Sequence, residues 1–267
     1  MNYVGSIIGD YCGSIYEFNN VRKNVPHYSI DILNNGHFTD DTICTVAVME
    51  WLCTSENKDP KVLIDLFRKW GKKYSNVGFG PKFKRWLYME GYNPTDSFGN
   101  GAAMRVSPCA YYANTLDECL ELAEISAKST HGHEEAVKGA KAVAESIYLA
   151  RSGAGKEDIV NVISTDFGYD LNKPINEIGT AAHNFDATCQ VTVPEALICF
   201  ANSNSFTDCI RLSIWVGGDS DTIAAMSGGI AEAYYGIPHC IIEDFKNKFP
   251  EDIKRVVSDF NKCIIDR

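Results

Sequence analysis

The chain of 267 residues is long enough for one large domain and carries a formal net charge of −10. This acidic balance repels phosphate backbones at long range, so nonspecific binding to nucleic acid is not expected. Apolar residues make up 45% of the chain and charged residues 22%, an ordinary globular composition that excludes intrinsic disorder.

The ten cysteines are scattered through apolar stretches, and none belongs to a C-x-x-C pair or to a zinc-ligand set. We interpret them as small core residues with reduced thiols. No secretory signal or membrane-spanning run is recognised, because the longest apolar runs are short and broken by glycines. We therefore expect a soluble, cytoplasmic protein that acts as a monomer.

Apolar periodicity predicts a series of helices along the chain. Residues 2–12 place small and apolar side chains on one helical stripe, whereas 13–38 have no period and are predicted to be a loop. A buried helix follows from Asp41, with Thr39 or Asp40 as its N-cap. Further helices are predicted over 60–74, 82–90, 101–112, 115–128, 133–151, 155–163, 192–203, 205–215, 219–236 and 241–264.

The pattern indicates an all-α protein. No alternating strand pattern is found, although the apolar stretch 162–165 is too short to decide by period. No linker or low-complexity tract divides the chain. We therefore expect residues 1–267 to form a compact single-domain bundle of many helices, with the active site at converging helix N-termini.

Two acidic tetrads, TDDT at 39–42 and DSDT at 219–222, each stand directly before an apolar helix. Their carboxylates and hydroxyls offer only oxygen ligands, which Mg²⁺, Mn²⁺ and Ca²⁺ prefer and zinc does not. If both helix starts converge, cations are needed to relieve the repulsion between the acids. The alternative is that each tetrad only caps its helix and complements the helix dipole. Glycines near both tetrads, Gly36 and Gly217-Gly218, favour the ligand interpretation.

Two further segments and one loop acid are candidate functional features. SFGNGAAMRVSP at 97–108 places a glycine-containing turn before small residues, where exposed amides suit a phosphate oxygen; the alternative is a capped loop. His131, in STHGHEE at 129–135, either binds a substrate oxygen or base or is a surface cap. Glu17 stands in the loop after the first helix, where an acid is usually solvated.

The ordered motifs resemble the ADP-ribosylglycohydrolase family, which includes the dinitrogenase reductase-activating glycohydrolase and the eukaryotic ADP-ribose hydrolases. GSIIGDYCGSIYEF at 5–18 is similar to the family's amino-terminal G-x-x-x-G-D-x-x-G-x-x-x-E segment. FTDDT at 38–42 resembles its first metal motif, and SFGNGAAMR at 97–105 its diphosphate and ribose loop. The remaining matches are STHGHEEA at 129–136, TVPEAL at 192–197 and GGDSDTIAAMSGGIAEAYYGIP at 217–238, so the resemblance covers most of the chain.

The resemblance implies roles for particular residues. Two Mg²⁺ or Mn²⁺ ions would be held by Thr39, Asp40, Asp41, Asp219, Asp221 and Thr222. All six are present, whereas inactive family members tend to lose these acids, so the resemblance favours an active enzyme. The catalytic residues would be Glu17, on a mobile segment near the reacting carbon, together with Asp40 and Asp221. The diphosphate, the distal ribose and other parts of the substrate would contact Ser97, Phe98, Asn100, Gly101 and His131.

The expected function is hydrolysis of the glycosidic bond that joins ADP-ribose to an acceptor. Two ions can orient ribose hydroxyls and polarise water, and either Asp221 or Glu17 would accept the proton as general base. Two alternatives stay open: a two-metal phosphoesterase, which would release AMP from a nucleotide, and an inactive ADP-ribose-binding protein. The loops over 13–37 and 76–96 carry no sequence pattern that identifies the acceptor. Different relatives cleave arginine, serine, nucleobase and O-acetyl linkages.

Overall fold

The computed structural model describes residues 2–20, 25–33, 35–179 and 185–266; residues 21–24 and 34 of the predicted loop over 13–38 lie outside this described part. The described residues form thirteen α-helices, two short 3-10 turns at His27–Ser29 and Asn100–Ala102, and two isolated bridges in place of a sheet. The helices are α1 (Gly5–Gly13), α2 (Asp40–Thr54), α3 (Pro60–Lys73), α4 (Pro81–Trp86), α5 (Ser107–Tyr112), α6 (Leu116–Lys128), α7 (Glu134–Arg151), α8 (Lys156–Phe167), α9 (Cys189–Asn202), α10 (Phe206–Val216), α11 (Ser220–Tyr235), α12 (His239–Phe245) and α13 (Glu251–Ile265). This architecture confirms the predicted all-α class.

Prolines explain the two largest differences between predicted and observed helices. The helix predicted over 101–112 begins only at Ser107, because Pro108 lacks an amide hydrogen and fits the first turn of a helix. The helix predicted over 241–264 is divided into α12 and α13, because Pro250 disfavours helical geometry at the residue before it. The short stretch 162–165 lies inside α8 and is therefore helical.

Glycines bring α1 and α11 into close contact. A Cβ atom on Gly9 would lie 2.0 Å from the carbonyl oxygen of Ala224, and one on Gly5 would lie 2.4 Å from that of Gly228. Near the start of α11, a Cβ on Gly13 would lie 2.5 Å from Asp221 Cα. The glycine spacing of α1 therefore permits backbone contact along the helix pair and places Asp221 beside the end of α1.

The two helices that follow the acidic tetrads lie in the protein interior. Residues Asp41–Met49 of α2 and Ser220–Ala231 of α11 are buried, and each run has apolar side chains on all sides of the helix. Their first turns meet, since the Thr222 hydroxyl donates a hydrogen bond to Asp41 Oδ2 at 3.1 Å. The predicted convergence of helix N-termini is thus present.

Seven of the ten cysteines are buried, as expected of small core residues. Cys53 and Cys263 are partly buried and Cys240 is exposed. Within the described ranges, no helix is both long enough and apolar enough to cross a membrane.

Candidate active site

The first turns of α2 and α11 meet α1 and its following segment at a group of acids. One carboxylate oxygen from each of Asp10, Asp41 and Asp221 lies within 4.8 Å of the other two, and Glu17, Asp219 and Asp221 form a second such set. These five residues are called the acidic cluster below, and Asp221 belongs to both sets. All are buried except Glu17, which is partly exposed. The structure therefore brings together three of the six predicted metal ligands, Asp41, Asp219 and Asp221.

Asp10, on α1, is held by the first turn of α2. Its carboxylate accepts hydrogen bonds from Thr39 N at 2.9 Å and from Thr39 Oγ1 at 2.8 Å. It also accepts hydrogen bonds from Thr42 N at 3.1 Å and from the Thr42 hydroxyl. Sequence reasoning did not assign Asp10 to the site. The signal that was available is a charged residue in a helix of small and apolar residues, since a buried charge needs partners.

The other predicted ligands surround the cluster. Thr39 is the N-cap of α2, with its Oγ1 accepting from Asp41 N at 3.4 Å, which decides between the two predicted caps. Thr222 contacts Asp41 through its hydroxyl, as described above. Asp40 is partly exposed and lines the adjoining cavity. The capping interpretation of the first tetrad is therefore correct for Thr39, while the acids beside it face the site.

Burial and mutual repulsion raise the pKa of the acids. Burial, followed by the charge of Asp219, raises the pKa of Glu17 to about 7, and burial, followed by Asp10, raises that of Asp40 to about 8. Burial likewise raises the pKa of Asp41 and Asp221 well above the ordinary range. No described lysine, arginine or histidine forms an ion pair with these acids. The site thus concentrates negative charge without a protein cation to balance it.

A divalent cation fits this arrangement. Asp41 Oδ1 is buried and has no hydrogen-bond partner, so its desolvation is uncompensated by the protein. The available donor atoms are carboxylate and hydroxyl oxygens, the ligands of hard cations. The two sets of acids share Asp221, and they place Asp10 and Glu17 close to the predicted ligands Asp41, Asp219 and Asp221.

A cavity of about 640 Å³ opens from the acidic cluster. Its lining contains most of the predicted site residues: Glu17, Asp40, Asp41, Ser97, Asn100, Gly101, His131, Asp219, Asp221 and Thr222. Phe98 does not line it; this side chain is 42% exposed and its ring packs edge-on against His133, 5.3 Å away between centroids. Phe98 belongs to the predicted ligand loop, but the structure places its side chain outside the cavity wall.

The loop 97–101 connects the cavity wall to the acidic cluster. Asn100 Nδ2 donates a hydrogen bond to Asp219 Oδ2 at 2.7 Å, and Asn100 N donates to Ala187 O at 2.8 Å. Ser97 Oγ accepts a hydrogen bond from Gly99 N at 3.2 Å. These bonds hold the loop in place next to the acids, so a ligand could contact both.

His131 lies beside this loop and is only 7% exposed. Its Nδ1 is 2.6 Å from Thr130 Oγ1, which also accepts a hydrogen bond from Arg105 Nη2 at 2.6 Å. Burial, followed by the charge of Arg105, lowers the pKa of His131 to about 3. The residue is therefore a neutral side chain of the cavity wall, which excludes the surface-cap alternative. The helix cap is instead His133, whose Nδ1 accepts from Glu135 N at 3.2 Å.

Two further parts of the cavity wall come from segments in which the sequence did not single out these individual residues. The segment 78–81 lines it, and a Cβ on Gly78 would lie 3.2 Å from Asp40 Oδ1. At the mouth, Phe18 and Phe185 have ring centroids 5.4 Å apart although they are 81% and 48% exposed. These residues come from separate loops, so no local sequence pattern joins them.

Comparisons with known proteins give matches over most of the chain. The sequence model of the ADP-ribosylglycohydrolase family matches residues 3–265. The human protein ADP-ribosylhydrolase ARH3 is 25% identical, over 87% of this chain and 84% of its own length. The Pseudomonas putida protein ADP-ribosylarginine hydrolase Tri1 is 25% identical, over 88% of this chain and 69% of its own length. These matches confirm the resemblance found in the motifs.

A solved structure described as an ADP-ribosylglycohydrolase-related protein complex has the same fold. It superposes with a TM-score of 0.75 over 98% of this chain and 96% of its own, at 24% sequence identity. At 24% sequence identity, this likeness is evidence for the arrangement of the helices alone.

Proposed function

This chain belongs to the ADP-ribosylglycohydrolase family, and we propose that it is an active, divalent-metal-dependent hydrolase that releases ADP-ribose by cleaving its glycosidic bond to an acceptor. The observation that carries the proposal is the acidic cluster, in which two acid sets share Asp221 at one end of a substrate-sized cavity. A purely structural role does not explain this uncompensated group of buried acids, because its repulsion costs stability.

The ions would be Mg²⁺ or Mn²⁺. Their proposed ligands are the predicted group Thr39, Asp40, Asp41, Asp219, Asp221 and Thr222, and Asp10 lies near enough to take part. When bound, two such ions supply Lewis acidity and neutralise the charge of the acids. Neutralisation is also needed for an anionic diphosphate to enter, since the cavity otherwise presents negative charge.

The chain's own residues would bind and orient the ribosyl group. The loop with Ser97, Asn100 and Gly101 lies along the cavity and is proposed to contact the diphosphate and distal ribose, with His131 beside it. Phe98 does not line the cavity, so its proposed contact requires a different ring orientation. Either Asp221 or Glu17 would accept a proton from the attacking water; both carboxylates lie in the second acid set.

Cleavage by a retaining two-carboxylate route is disfavoured. That chemistry uses one carboxylic acid and one separate nucleophile about 5–5.5 Å apart. Here several acids are crowded within 4.8 Å of each other, an arrangement that matches cation binding better than division into one acid and one nucleophile. The crowding therefore supports metal-dependent hydrolysis.

The acceptor linkage and the setting of the protein are further parts of the proposal. The names of two relatives include an ADP-ribosylarginine hydrolase and an ADP-ribosylhydrolase, so an ADP-ribosylated protein is a reasonable acceptor class. A reducing, cytoplasmic compartment suits ten thiols, seven of them buried. The protein is proposed to act as a monomer, which size-exclusion chromatography with light scattering tests directly.

The decisive experiment is product analysis with a panel of linkages. The protein is incubated with Mg²⁺ and with arginine-, serine- and nucleobase-linked ADP-ribose and O-acetyl-ADP-ribose, and products are separated by chromatography. Release of intact ADP-ribose supports the proposal. Release of AMP would identify the phosphoesterase alternative, and tight ADP-ribose binding without any release would identify the inactive binding protein.

A further inference from the structure

Arg105 is a buried cation that has no carboxylate partner among the described residues. Its side chain is inaccessible to solvent, and its Cζ lies 4.2 Å from the centroid of the Phe67 ring. No described carboxylate forms an ion pair with it. Its Nη2 donates to Ser126 O at 2.7 Å and to Thr130 Oγ1 at 2.6 Å. Because a charged donor in a water-free setting forms strong hydrogen bonds, Thr130 Oγ1 is firmly held as an acceptor.

The Thr130 hydroxyl therefore determines the tautomer of His131. Arginine has no acceptor atom, so Thr130 can only accept from Arg105. His131 Nδ1 is the other neighbour of the same oxygen, at 2.6 Å. If Nδ1 carried the proton, Arg105 and His131 would both donate to Thr130 Oγ1. The buried hydroxyl hydrogen of Thr130 could then donate to neither of them. The hydroxyl hydrogen thus goes to Nδ1, and the proton of the neutral imidazole is on Nε2.

The protonated nitrogen is the one beside the ligand loop. A Cβ on Gly101 would lie 3.5 Å from His131 Nε2, and one on Gly99 would lie 3.7 Å from it. His131 lines the same cavity as these glycines, and its ring hydrogen bond to the protein is at Nδ1. The absence of side chains at both glycine positions leaves room for a ligand oxygen near Nε2.

We propose that Arg105 and Thr130 are positioning residues that hold His131 neutral, with Nε2–H directed to donate a hydrogen bond to a phosphate or ribose oxygen in the cavity. The identity of the ligand rests on the proposed function, whereas the tautomer follows from the hydrogen bonds alone. This arrangement supplies a neutral donor next to the acidic cluster. A protonated ring is disfavoured there by burial and by the neighbouring guanidinium.

The tautomer is tested first, without ligand. Long-range ¹H–¹⁵N correlation spectra of the full chain report the protonation of both ring nitrogens, and His131→Gln assigns the signals. The expected result is an unprotonated Nδ1 and a protonated Nε2, with no titration between about pH 5 and pH 8. A proton on Nδ1, or a ring that becomes charged within this range, would overturn the proposal.

Variants of Thr130 then test its positioning role. Thr130→Val keeps the side-chain shape without the hydroxyl, Thr130→Ser restores the hydroxyl, and Ser129→Ala removes a neighbouring hydroxyl that donates to Ile125 O at 2.8 Å. Calorimetry with ADP-ribose and Mg²⁺ should show about tenfold weaker binding for Thr130→Val, together with a mixed tautomer, and little change for the other two.

The outcomes separate this proposal from the proposed function. A folded Thr130→Val protein with wild-type tautomer and affinity would overturn the positioning role. If that variant does not fold, a proton on Nδ1 in Thr130→Ser or in the wild-type protein still overturns it. If the wild-type protein does not bind ADP-ribose, the proposed ligand of His131 and the proposed function are both overturned. The ring spectrum still tests the tautomer, because it is recorded without ligand.

Discussion

Thr222 donates a hydrogen bond from its hydroxyl to Asp41 Oδ2 at 3.1 Å, across a sequence separation of 181 residues. This bond joins the first turns of α2 and α11 and thereby makes two distant acidic tetrads parts of one site. No described lysine, arginine or histidine forms an ion pair with the acids it brings together, so the proposed activity depends on ions from solution.

Removal of divalent ions should abolish the release of ADP-ribose. We expect no turnover in excess chelator, recovery on addition of Mg²⁺ or Mn²⁺, and poor recovery with Zn²⁺, because the donor atoms are all oxygens. The measurement is ADP-ribose release after each addition. Full activity in excess chelator would contradict the metal-dependent proposal.

Asp40→Ala and Asp221→Ala should each remove most turnover while preserving the helical fold. The expected loss exceeds the roughly 10- to 100-fold typical of residues outside the direct ligand shell. Loss of a first-turn acid costs about 0.5–2 kcal/mol, less than the stability of a typical domain. Activity and circular dichroism are compared with Asp244→Ala, an exposed aspartate of α12. Near-normal turnover in either folded variant would contradict the role of that residue.

Asp10→Asn should both destabilise the protein and inactivate it. One side-chain oxygen becomes an amide nitrogen, which cannot accept a hydrogen bond, so at least one of the hydrogen bonds that Thr39 and Thr42 now donate to Asp10 is lost. We expect a loss of about 1–3 kcal/mol in the free energy of unfolding, measured by urea denaturation beside Asp244→Asn. Unchanged stability would show that these hydrogen bonds do not hold α1 to α2.

The metal-free protein should lose stability as the pH rises. Because the pKa of Asp40 is raised from 3.8 to about 8, its contribution is fully present below about pH 3.8 and is lost as the pH rises through 8. Bound ions remove the repulsion and compete with protons, so the increase in Tm caused by Mg²⁺ should be larger at about pH 8 than at about pH 5.5.

The control for this pH effect is Asp40→Asn, which should reduce the dependence of Tm on pH in chelator, while the other acids with a raised pKa still titrate. Burial is the first cause of the raised pKa of Asp40, and the charge of Asp10 is the second. Asparagine does not titrate, so the variant lacks the contribution of residue 40 to the pH dependence of stability. A wild-type Tm in chelator that rises from about pH 5.5 to pH 8 would contradict the prediction.

Glu17→Gln should lower turnover strongly while leaving Mg²⁺ and ADP-ribose binding close to normal. Glu17 lies on the segment after α1 and is partly exposed, and the buried acids Asp10, Asp41 and Asp221 remain in the variant. Calorimetric titrations of Mg²⁺ and ADP-ribose accompany the hydrolysis assay, with the exposed Glu56→Gln as control. Lost Mg²⁺ binding would make Glu17 a metal ligand, and unchanged turnover would make it an ordinary loop acid.

Much of the architecture follows from local patterns. The apolar run after each tetrad predicts α2 and α11, and Thr39 is one of the two residues predicted as the N-cap of α2. Local patterns fail where two effects compete: the apolar residues over 241–264 suggest one helix, but Pro250 divides it.

By itself, the sequence determined the helical class, the two oxygen-rich tetrads and the family to which the chain belongs. Only the tertiary structure decided that Asp10 completes the acidic cluster and that Arg105 reaches His131 through Thr130. Periodicity and capping are properties of neighbouring residues and can be read along the chain. Hydrogen bonds and charge repulsion depend on distances between helices, and here the close packing of α1 against α11 sets those distances.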